Sequence, residues 1–293
     1  MSQDAGDVLL DGQLVPRAAA RIAVDDLGFL QGDGTFETLR VYRGVPFLLE
    51  EHLARLFASL RALQITIPWK REQLQAQVRL LLERNQARSE NARLRLTVTR
   101  GAGGNPTVLL TVEPHAPVDP DIYQRGVDVV VSAQVRAAHP LHRVKSTSYA
   151  ASRWLRHEAD AAGAFEALQF NTEGCLTEGS YTNAFIVDGT GVLRTPSPVE
   201  GCLKGITRNA VLTIATESQL PWQEGGIDRE ALDAAREVFL TGSLIELVPV
   251  RRVGARAVGD VCPGPMARAL HVAYRGFVDR STGSGPHAAH EGI

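Results

Sequence analysis

The chain has 293 residues, of which 44% are hydrophobic and 22% charged, a composition typical of globular proteins and a length sufficient for two domains. The net charge of −2 gives no basic field that would indicate a nucleic-acid partner. The three cysteines, at positions 175, 202 and 262, form no Cys-x-x-Cys pair, which argues against a metal site and a disulfide framework and favours a reducing cytoplasm. The first seven residues lack the features of a signal peptide, and no apolar run reaches the roughly 18 residues of a membrane span. We therefore expect a cytoplasmic protein without a membrane partner.

The first part of the chain predicts strands that alternate with two helices. The strands are expected at residues 8–10, 13–15, 36–42, 45–49, 92–100 and 107–113. The helices are expected at about 50–63 and 70–85, where apolar residues recur at the i, i+3, i+4, i+7 spacing. Residues 92–100 alternate between apolar and polar side chains, as in a strand that buries one face.

A proline-rich stretch at residues 114–120 marks the expected domain boundary. Beyond it, strands and helices mix without a strict β-α-β order, so the chain is of the α+β class. Further strands are expected at 127–132, 165–171, 183–188 and 237–241, and helices at 147–162, at 206–217 and from Pro265 onward. We predict a small N-terminal domain over 1–116, a larger domain over 117–280, and a disordered Gly/Ser/His-rich tail over 281–293.

Two residues have the properties that pyridoxal chemistry requires. Lys145 lies where a strand-rich segment gives way to a helix, and a lysine that attacks a carbonyl group must present a neutral amine. Glu178 follows 33 positions later, and a carboxylate beside a pyridine nitrogen keeps that nitrogen protonated. Taken singly, each residue has an ordinary interpretation, as a surface lysine and as a turn glutamate.

Two further stretches could bind a phosphate group. Gly205, Ile206 and Thr207 open a helix, where backbone N–H groups and a hydroxyl form an anion site. Residues 241–243, Thr-Gly-Ser, end a strand, where glycine lets the backbone approach a ligand closely. Alone, each signal is weak, because threonine is common at helix caps.

Two glycine-rich stretches, at residues 32–34 and 101–104, could be mistaken for dinucleotide-binding loops. Each is followed by a predicted strand and not by a helix, so the dinucleotide interpretation fails. Arg100 shares strand parity with the apolar face of its strand and needs an anion there. We interpret it as a clamp for a substrate carboxylate, with an internal ion pair as the alternative. Helical phase places Arg55 on the polar side of its helix, where periodicity alone predicts a solvated side chain.

Together these stretches resemble the class IV, or fold type IV, pyridoxal phosphate enzymes. That family includes branched-chain aminotransferases, D-amino acid aminotransferases and 4-amino-4-deoxychorismate lyases. The resemblance extends over residues 8–280 and its motifs occur in the family's order. They are Gly-Asp-Gly-Thr-Phe-Glu-Thr at 32–38, His-Leu-Ala-Arg-Leu at 52–56, Lys145, Thr-Glu-Gly at 177–179, Gly-Ile-Thr-Arg at 205–208 and Glu-Val-Phe-Leu-Thr-Gly at 237–242.

The resemblance implies that the cofactor is pyridoxal 5'-phosphate, that Lys145 forms the Schiff base with it and that Glu178 faces its ring nitrogen. It also implies a cofactor-binding role, chiefly at the phosphate, for Arg55, Gly205, Ile206, Thr207 and Ser243. For Arg55 this reverses the interpretation from periodicity. The implied fold is a small α/β domain and a larger domain with a β-barrel-like sheet and flanking helices. The family places the cofactor between the domains, and a homodimer completes each site.

The resemblance to individual members is divided. The stretches Phe-Glu-Thr-Leu-Arg at 36–40 and 91–104 look like the lyases, although D-amino acid aminotransferases share Thr-Arg-Gly in the second. Residues 237–250 and 258–265 resemble the branched-chain enzymes, whereas Leu-Ile at 244–245 favours the lyases. We therefore expect a 4-amino-4-deoxychorismate lyase, which forms 4-aminobenzoate and pyruvate in the folate pathway. The alternatives are a branched-chain or D-amino acid aminotransferase and, more remotely, a non-catalytic dimeric relative.

The lyase interpretation adds three candidate residues. Thr38 could deliver the proton that the leaving group needs, although a β-branched strand residue is the plainer interpretation. Arg100 and Arg40 are the candidates for binding the carboxylates of a small amino substrate.

Overall fold

The computed structural model describes residues 6–85, 91–116 and 118–283. The chain divides into two compact units. The N-terminal unit contains Met1–Ala116 together with the short segment Val144–Tyr149, and the C-terminal unit contains Pro117–Arg143 and Ala150–Ile293. The segment that carries Lys145 thus belongs to the N-terminal unit, whereas the sequence placed it in the second domain. The reason lies in its backbone hydrogen bonds, described with the site.

The N-terminal unit is built on a six-stranded antiparallel sheet in the order β2-β1-β6-β5-β3-β4. Its strands are β1 (Asp7–Leu10), β2 (Gln13–Pro16), β3 (Gly34–Tyr42), β4 (Val45–Pro46), β5 (Asn91–Ala102) and β6 (Asn105–Pro114). Its helices are α1 (Leu27–Gln31), α2 (Leu49–Ala62) and α3 (Arg71–Arg84). The two helices predicted from apolar spacing are therefore confirmed as α2 and α3.

One face of this sheet forms the core with α2 and α3. The alternation of β5 puts Leu94, Leu96 and Val98 on that face, where each is fully buried. From α2, Leu53 and Leu56 are also fully buried. Burial of each such side chain stabilises the folded unit by about 1.5–3 kcal/mol. The apolar residues of the strand and of the helix are therefore buried in the same core. The opposite face of β3 and β5 carries polar side chains.

The C-terminal unit is built on a mixed eight-stranded sheet, curled into a half-barrel, in the order β11-β10-β9-β12-β13-β7-β8, with β14 paired to β13. Its strands are β7 (Val127–Arg136), β8 (Glu166–Asn171), β9 (Asn183–Val187), β10 (Leu193–Thr195), β11 (Trp222–Glu224), β12 (Glu237–Gly242), β13 (Glu246–Val253) and β14 (Arg256–Ala257). Its helices are α4 (Asp121–Arg125), α5 (Ala150–Ala161), α6 (Ile206–Glu217), α7 (Arg229–Asp233) and α8 (Pro265–Ser281). The α+β class and the barrel-like sheet expected from the resemblance are confirmed.

The central strands of this sheet are buried on both faces, which explains their continuous apolar sequences. On one face, Ala184 of β9 and Leu240 of β12 join the main core of the unit. On the other, the rings of Phe185 and Phe239 stack with centroids 4.9 Å apart. This alternation fixes which side chains of β12 face the core and which face the other side.

Helix boundaries differ from the expectation at two places. The helix expected from residue 147 begins at Ala150, because residues 145–147 hydrogen-bond to the first residues of β3 instead. Helix α8 extends to Ser281, the first residue of the tail for which we predicted disorder, and residues 284–293 of that tail lie outside the described residues. Within the described part of the chain, no helix is both long and apolar enough to cross a membrane.

The glycine-rich stretch at 101–104 forms the end of β5 and the turn of the β5–β6 hairpin. Gly101 has a φ of 68°, and a Cβ atom there would lie 1.7 Å from the carbonyl oxygen of Asn105. Gly103 has a similar φ of 59°, but a Cβ atom there would meet nothing within 4 Å. Gly101 is therefore required by both conformation and space, and Gly103 by conformation alone.

We predict that Gly103→Ala lowers the free energy of unfolding by about 1–2 kcal/mol, because alanine is strained in the left-handed conformation. Gly101→Ala should cost that amount and about 1–3 kcal/mol more, because its methyl group collides with backbone. Urea unfolding of the two variants measures the difference directly. Equal losses would contradict the close approach of Asn105.

Candidate active site

Lys145 is attached through its backbone to the first residues of β3. Its carbonyl oxygen accepts hydrogen bonds from the Phe36 N–H at 3.0 Å and from the Thr35 hydroxyl at 2.8 Å. Two residues later, the Thr147 N–H donates to the Gly34 carbonyl at 2.9 Å. β4 pairs only with the far end of β3, so this segment lies along the near end of the same edge. The lysine is thereby fixed to a rigid strand independently of its side chain.

The two glycines of the Gly-Asp-Gly stretch permit this close approach. A Cβ atom on Gly34 would lie 2.6 Å from the Val98 carbonyl oxygen and 2.9 Å from the Thr147 hydroxyl. One on Gly32 would lie 2.6 Å from the Ser148 hydroxyl. The Gly-Asp-Gly stretch, which we excluded as a dinucleotide-binding loop, therefore leaves room for the segment that carries Lys145.

The side chain of Lys145 lies against the ring of Phe36, with Nζ 4.7 Å from the ring centroid. The Arg95 guanidinium carbon lies 3.9 Å from the same centroid, and Tyr149 meets the ring edge-on. Burial lowers the pKa of Arg95 from its usual value, and the neighbouring Arg93 charge lowers it further. A half-buried guanidinium is suited to a substrate carboxylate. The sequence did not single out Arg95, because alternation placed it on the polar face of β5 together with ordinary surface residues.

The candidates Thr38 and Arg40 share a face of β3 with Phe36, because alternate side chains of a strand point to the same side. We call this face, defined by those three residues, the lysine face. Thr38 is half-buried and directly opposite Arg95 in the β3–β5 pairing. Arg40 is half-buried, and its Nε donates to the side-chain oxygen of Asn91 at 3.1 Å. Together with Lys145 and Arg95, which lie against the Phe36 ring, the lysine face presents an amine, a hydroxyl and two guanidinium groups.

Arg55 is bound on the opposite face of β3 by a buried carboxylate. Its Nε donates to Oε1 of Glu37 at 2.8 Å and its Nη2 donates to Oε2 at 2.7 Å, while His52 Nδ1 lies 2.7 Å from Oε2. The side chains of Glu37 and Arg55 are 0% and 12% exposed. The prediction of a solvated Arg55 from helical periodicity is therefore wrong: an ion pair with the sheet buries its charge.

The electrostatics of this cluster follow from its burial. Burial raises the pKa of Glu37, but the Arg55 charge and the hydrogen bonds from Arg55 and His52 outweigh it and lower the pKa to about 2. Burial lowers the pKa of His52, and its hydrogen bond to Glu37 only partly opposes this. The cluster therefore contains an ionised glutamate, an arginine and a neutral histidine that donates its Nδ1 proton to the carboxylate.

Arg100 lies in an internal ion pair, the alternative that the sequence left open. Its Nη2 donates to the Leu63 carbonyl at 2.7 Å, its Nη1 donates to the Gln64 carbonyl at 3.1 Å, and its Nε and Nη2 both donate to Asp33. These bonds commit the guanidinium to the protein itself. We therefore do not retain Arg100 as the substrate clamp.

In the C-terminal unit, Glu178 is held by three donors. Its Oε1 accepts from Arg136 Nη1 at 2.8 Å, and its Oε2 accepts from the Leu203 N–H at 2.9 Å and from Asn183 Nδ2 at 3.2 Å. The side chains of Arg136 and Glu178 are 14% and 15% exposed. These three donors fix the orientation of the Glu178 carboxylate.

Sequence reasoning missed Arg136, which lies 42 positions from Glu178. It is the last residue of β7, and it also donates to Gln169 Oε1 at 2.8 Å and to the Gly201 carbonyl at 2.7 Å. The sequence feature that could have pointed to Arg136 is an arginine at a strand end, which is also the feature that singled out Arg100. Without the pairing of strands, nothing in the sequence distinguishes the two.

The start of α6 forms an uncapped group of N–H donors. Gly205 is the N-cap residue, and among the described residues no side chain caps the helix. A Cβ atom on Gly205 would lie 1.9 Å from Oδ1 of Asn183, so only glycine fits beside the residue that also binds Glu178. Ile206 and Thr207 follow in the first turn, where N–H groups have no intrahelical acceptor.

Ser243 lies in the β12–β13 hairpin and is half-buried. The C-terminal unit therefore presents a carboxylate for a ring nitrogen and N–H and O–H donors for a phosphate, while the N-terminal unit presents an amine and a guanidinium. The donor set of the C-terminal unit fits the ring nitrogen and the phosphate of pyridoxal 5'-phosphate. The described residues contain no group of three or more His, Cys, Asp or Glu that could hold a metal ion.

We predict that Arg55→Ala lowers the free energy of unfolding by about 3–5 kcal/mol, because it leaves Glu37 buried without its guanidinium. Adding Glu37→Gln should restore much of the loss, because it removes the unpaired charge. Urea unfolding at pH 7 measures both. The ordinary pKa of the carboxyl is 4.5 and its folded value is about 2, so its contribution is present above pH 4.5 and lost as the pH falls through 2.

The matched control is Arg93→Ala, which breaks an ion pair with Glu113 whose side chains are 45% and 30% exposed. That change should cost no more than about 1 kcal/mol. If Arg55→Ala proved as mild as Arg93→Ala, the buried ion pair would not be a structural element of the unit.

Comparison with known proteins identifies the family. The model of the amino-transferase class IV family matches residues 34–253. A putative branched-chain-amino-acid aminotransferase of Methanocaldococcus jannaschii is 34% identical over 278 residues, which cover 92% of this chain and 95% of that protein. The aminodeoxychorismate lyase of Bacillus subtilis is 29% identical over 277 residues, which cover 92% of this chain and 93% of that protein.

A solved structure extends the similarity to the whole fold. A hypothetical aminotransferase from Mycobacterium tuberculosis, solved in its form with bound pyridoxal 5'-phosphate, matches with a TM-score of 0.84 at 25% identity. The match covers 93% of this chain and 98% of that chain. The chain therefore belongs to the class IV aminotransferase family of fold type IV, whose cofactor is pyridoxal 5'-phosphate.

Proposed function

We propose that this chain cleaves 4-amino-4-deoxychorismate into 4-aminobenzoate and pyruvate. The observation that carries the proposal is the lysine face, where Thr38 stands directly opposite Arg95 in the β3–β5 pairing. A substrate with two carboxylates needs two cations, and Arg95 and Arg40 supply them on this face. The similarity to the Bacillus subtilis lyase over 92% of the chain gives further support.

The cofactor, when bound, draws electrons away from the substrate carbon that bears the amino group. Lys145 would hold the cofactor covalently, and its amine would take the proton from that carbon. Lys145 and Arg95 both lie against the Phe36 ring, with Lys145 Nζ 4.7 Å and the Arg95 guanidinium carbon 3.9 Å from its centroid.

The C-terminal residues bind and polarise the cofactor. Glu178, which accepts a hydrogen bond from Arg136, would hold a proton at the ring nitrogen. Gly205, Ile206 and Thr207 at the start of α6 bind the phosphate, and Ser243 and Arg55 complete its contacts. Because Arg55 is oriented by two bonds to Glu37, its guanidinium has little freedom to lose when it binds.

The proton balance of the reaction assigns the remaining roles. When the ring carbon loses its proton to Lys145, the C–O bond to the enolpyruvyl group breaks and the ring becomes aromatic. The departing group takes up a proton and becomes pyruvate, and Thr38 is the hydroxyl on the lysine face that can deliver it. Arg95 and Arg40 hold the two carboxylates so that the breaking bond faces these groups.

The second candidate is an aminotransferase for branched-chain or D-amino acids. The 34% identity to the Methanocaldococcus jannaschii protein, named as a putative branched-chain-amino-acid aminotransferase, favours it. The same lysine, glutamate and phosphate contacts would serve that reaction. The difference lies in the substrate: a monocarboxylic amino acid needs only one of the two arginines.

We also propose a homodimer. Residues 22–30 of the N-terminal unit expose four large apolar side chains to an extent unusual for one short segment. They are Ile22 at 43%, Val24 at 83%, Phe29 at 74% and Leu30 at 57% exposure. Sedimentation equilibrium that gave the mass of a single 31.7 kDa chain would contradict the dimer.

We also propose a cytoplasmic location, which the three free cysteines suit.

We predict that the purified holoenzyme converts 4-amino-4-deoxychorismate to 4-aminobenzoate and equimolar pyruvate, measured by chromatography and a coupled pyruvate assay. Glu178→Gln should slow this by about 10²-fold or more, because it removes one preorganised charge without changing shape. The matched assay supplies L-leucine or D-alanine with 2-oxoglutarate. Rapid transamination there, without 4-aminobenzoate from the first substrate, would overturn the lyase proposal in favour of the aminotransferase. Activity in neither assay would support the non-catalytic relative.

A further inference from the structure

One buried carboxyl group of the C-terminal unit has no role in the site described above. Glu166 is the first residue of β8 and is fully buried. The four groups that hydrogen-bond to its side chain are all uncharged: three backbone N–H groups and one hydroxyl. Burying a carboxyl group is costly unless its oxygens are hydrogen-bonded, so the positions of these donors show what Glu166 holds in place.

Three of the four donors belong to the turn that follows the Thr-Glu-Gly motif. Oε1 of Glu166 accepts a hydrogen bond from the Ser180 N–H at 2.9 Å. Oε2 accepts one from the Thr182 hydroxyl at 3.0 Å and one from the Tyr181 N–H at 3.4 Å. The fourth donor, the Ala167 N–H at 2.9 Å, lies in the strand of Glu166 itself. One side chain of β8 therefore binds three consecutive residues of the turn.

The glycine of the motif allows this carboxyl group to lie against the turn. A Cβ atom on Gly179 would lie 2.6 Å from Cδ of Glu166 and 2.4 Å from the Thr182 hydroxyl. The Gly179 N–H donates to the Thr182 carbonyl at 2.8 Å, which closes the turn. Glu166 is thus packed directly against the residue that follows Glu178.

The same strand also holds the residues on the other side of the turn. The Thr177 N–H donates to the Gln169 carbonyl at 2.8 Å, and the Gln169 N–H donates to the Glu178 carbonyl at 3.0 Å. Glu166 and Gln169 both belong to β8. The backbone of Glu178 is therefore fixed from both sides by one strand, through the backbone of Gln169 and through the side chain of Glu166.

We propose that Glu166 is a positioning residue, which directs the Glu178 carboxylate towards the ring nitrogen of the cofactor by fixing the turn at residues 179–182. This inference rests on the role proposed above for Glu178. Glu166 acts only through that residue and touches neither cofactor nor substrate.

The role requires a carboxyl group in particular. The two oxygens of Glu166 accept four hydrogen bonds, two at each oxygen. A glutamine offers one acceptor oxygen, and its amide nitrogen presents N–H donors to groups that are themselves donors. Glu166→Gln keeps the volume of the side chain, so it changes the hydrogen bonds to the turn with little change in packing.

A pH titration of the holoenzyme tests the inference without reference to any substrate. The absorbance of bound pyridoxal 5'-phosphate changes with pH as the nitrogen that joins it to the protein loses its proton. A positive charge at the ring nitrogen favours that loss, so weakening the charge moves the titration midpoint to higher pH. Glu178→Gln should move this midpoint upward by about one unit or more. Glu166→Gln should move it in the same direction by a smaller amount.

The double variant separates action through Glu178 from any other effect. When Glu178 is already glutamine, Glu166→Gln should add no further shift, because the residue through which it acts has been changed. Equal shifts in the two backgrounds would overturn the inference, as would an unchanged titration midpoint for Glu166→Gln alone. If Glu178→Gln itself caused no shift, the proposed role of Glu178 would fail and this inference with it.

The matched control is Glu237→Gln. Glu237 is a buried glutamate of the same unit, and its carboxylate accepts from the N–H groups of Met266 at 3.0 Å and Ala267 at 2.8 Å at the start of α8. Both glutamine variants should lower the temperature of unfolding of the cofactor-free chain, because each removes an acceptor from buried N–H groups. Only Glu166→Gln should shift the titration, and a comparable shift for Glu237→Gln would show a general structural effect and overturn the inference.

A milder variant keeps the inference testable if Glu166→Gln does not fold. Thr182→Val removes one hydrogen bond to Oε2 of Glu166 and keeps the shape of its own side chain. It should shift the titration midpoint to higher pH by less than Glu178→Gln does, and again by nothing in the Glu178→Gln background. A folded Thr182→Val holoenzyme that titrates as the wild type does would count against the inference.

Discussion

The position of Lys145 depends on a few backbone hydrogen bonds at the edge of β3. Thr35 and Phe36 bind its carbonyl oxygen, and Gly34 accepts the N–H of Thr147. A lysine on an unattached loop would be mobile, whereas the backbone of Lys145 is hydrogen-bonded to a strand of a sheet. The close approach requires glycine at position 34, so the Gly-Asp-Gly stretch allows the segment that carries Lys145 to pack against β3.

Buried charges connect motifs that are far apart in the sequence. Glu37 belongs to one motif and His52 and Arg55 to the next, and the three form one cluster. Glu178 and Arg136 form a second pair in the other unit. In each case a carboxylate largely removed from water accepts hydrogen bonds from a guanidinium and from further donors, which compensate its burial. The charged residues of the motifs are therefore set in orientation before any ligand binds.

Much of the fold could be predicted because it rests on local periodicity. The spacing in α2 and the alternation in β5 both follow from burial against one core. Pairings between distant residues could not be predicted this way. Helical periodicity predicted a solvent-exposed Arg55, whereas an ion pair buries this side chain. Arg100 and Arg136 both lie at strand ends, so the sequence could not show that one binds Asp33 and the other Glu178. Lys145, Glu178 and the start of α6 were found through the resemblance, since no single residue identifies such a site.

The central claim is that Lys145 carries the cofactor, and the chain makes this simple to test because its only lysines are Lys70, Lys145 and Lys204. Borohydride reduction of the holoenzyme, followed by proteolysis and mass spectrometry, identifies the modified peptide. The account predicts the reduced cofactor on Lys145, with the absorbance of the bound cofactor lost on reduction. Attachment to Lys204, next to the start of α6, or to Lys70 would contradict it.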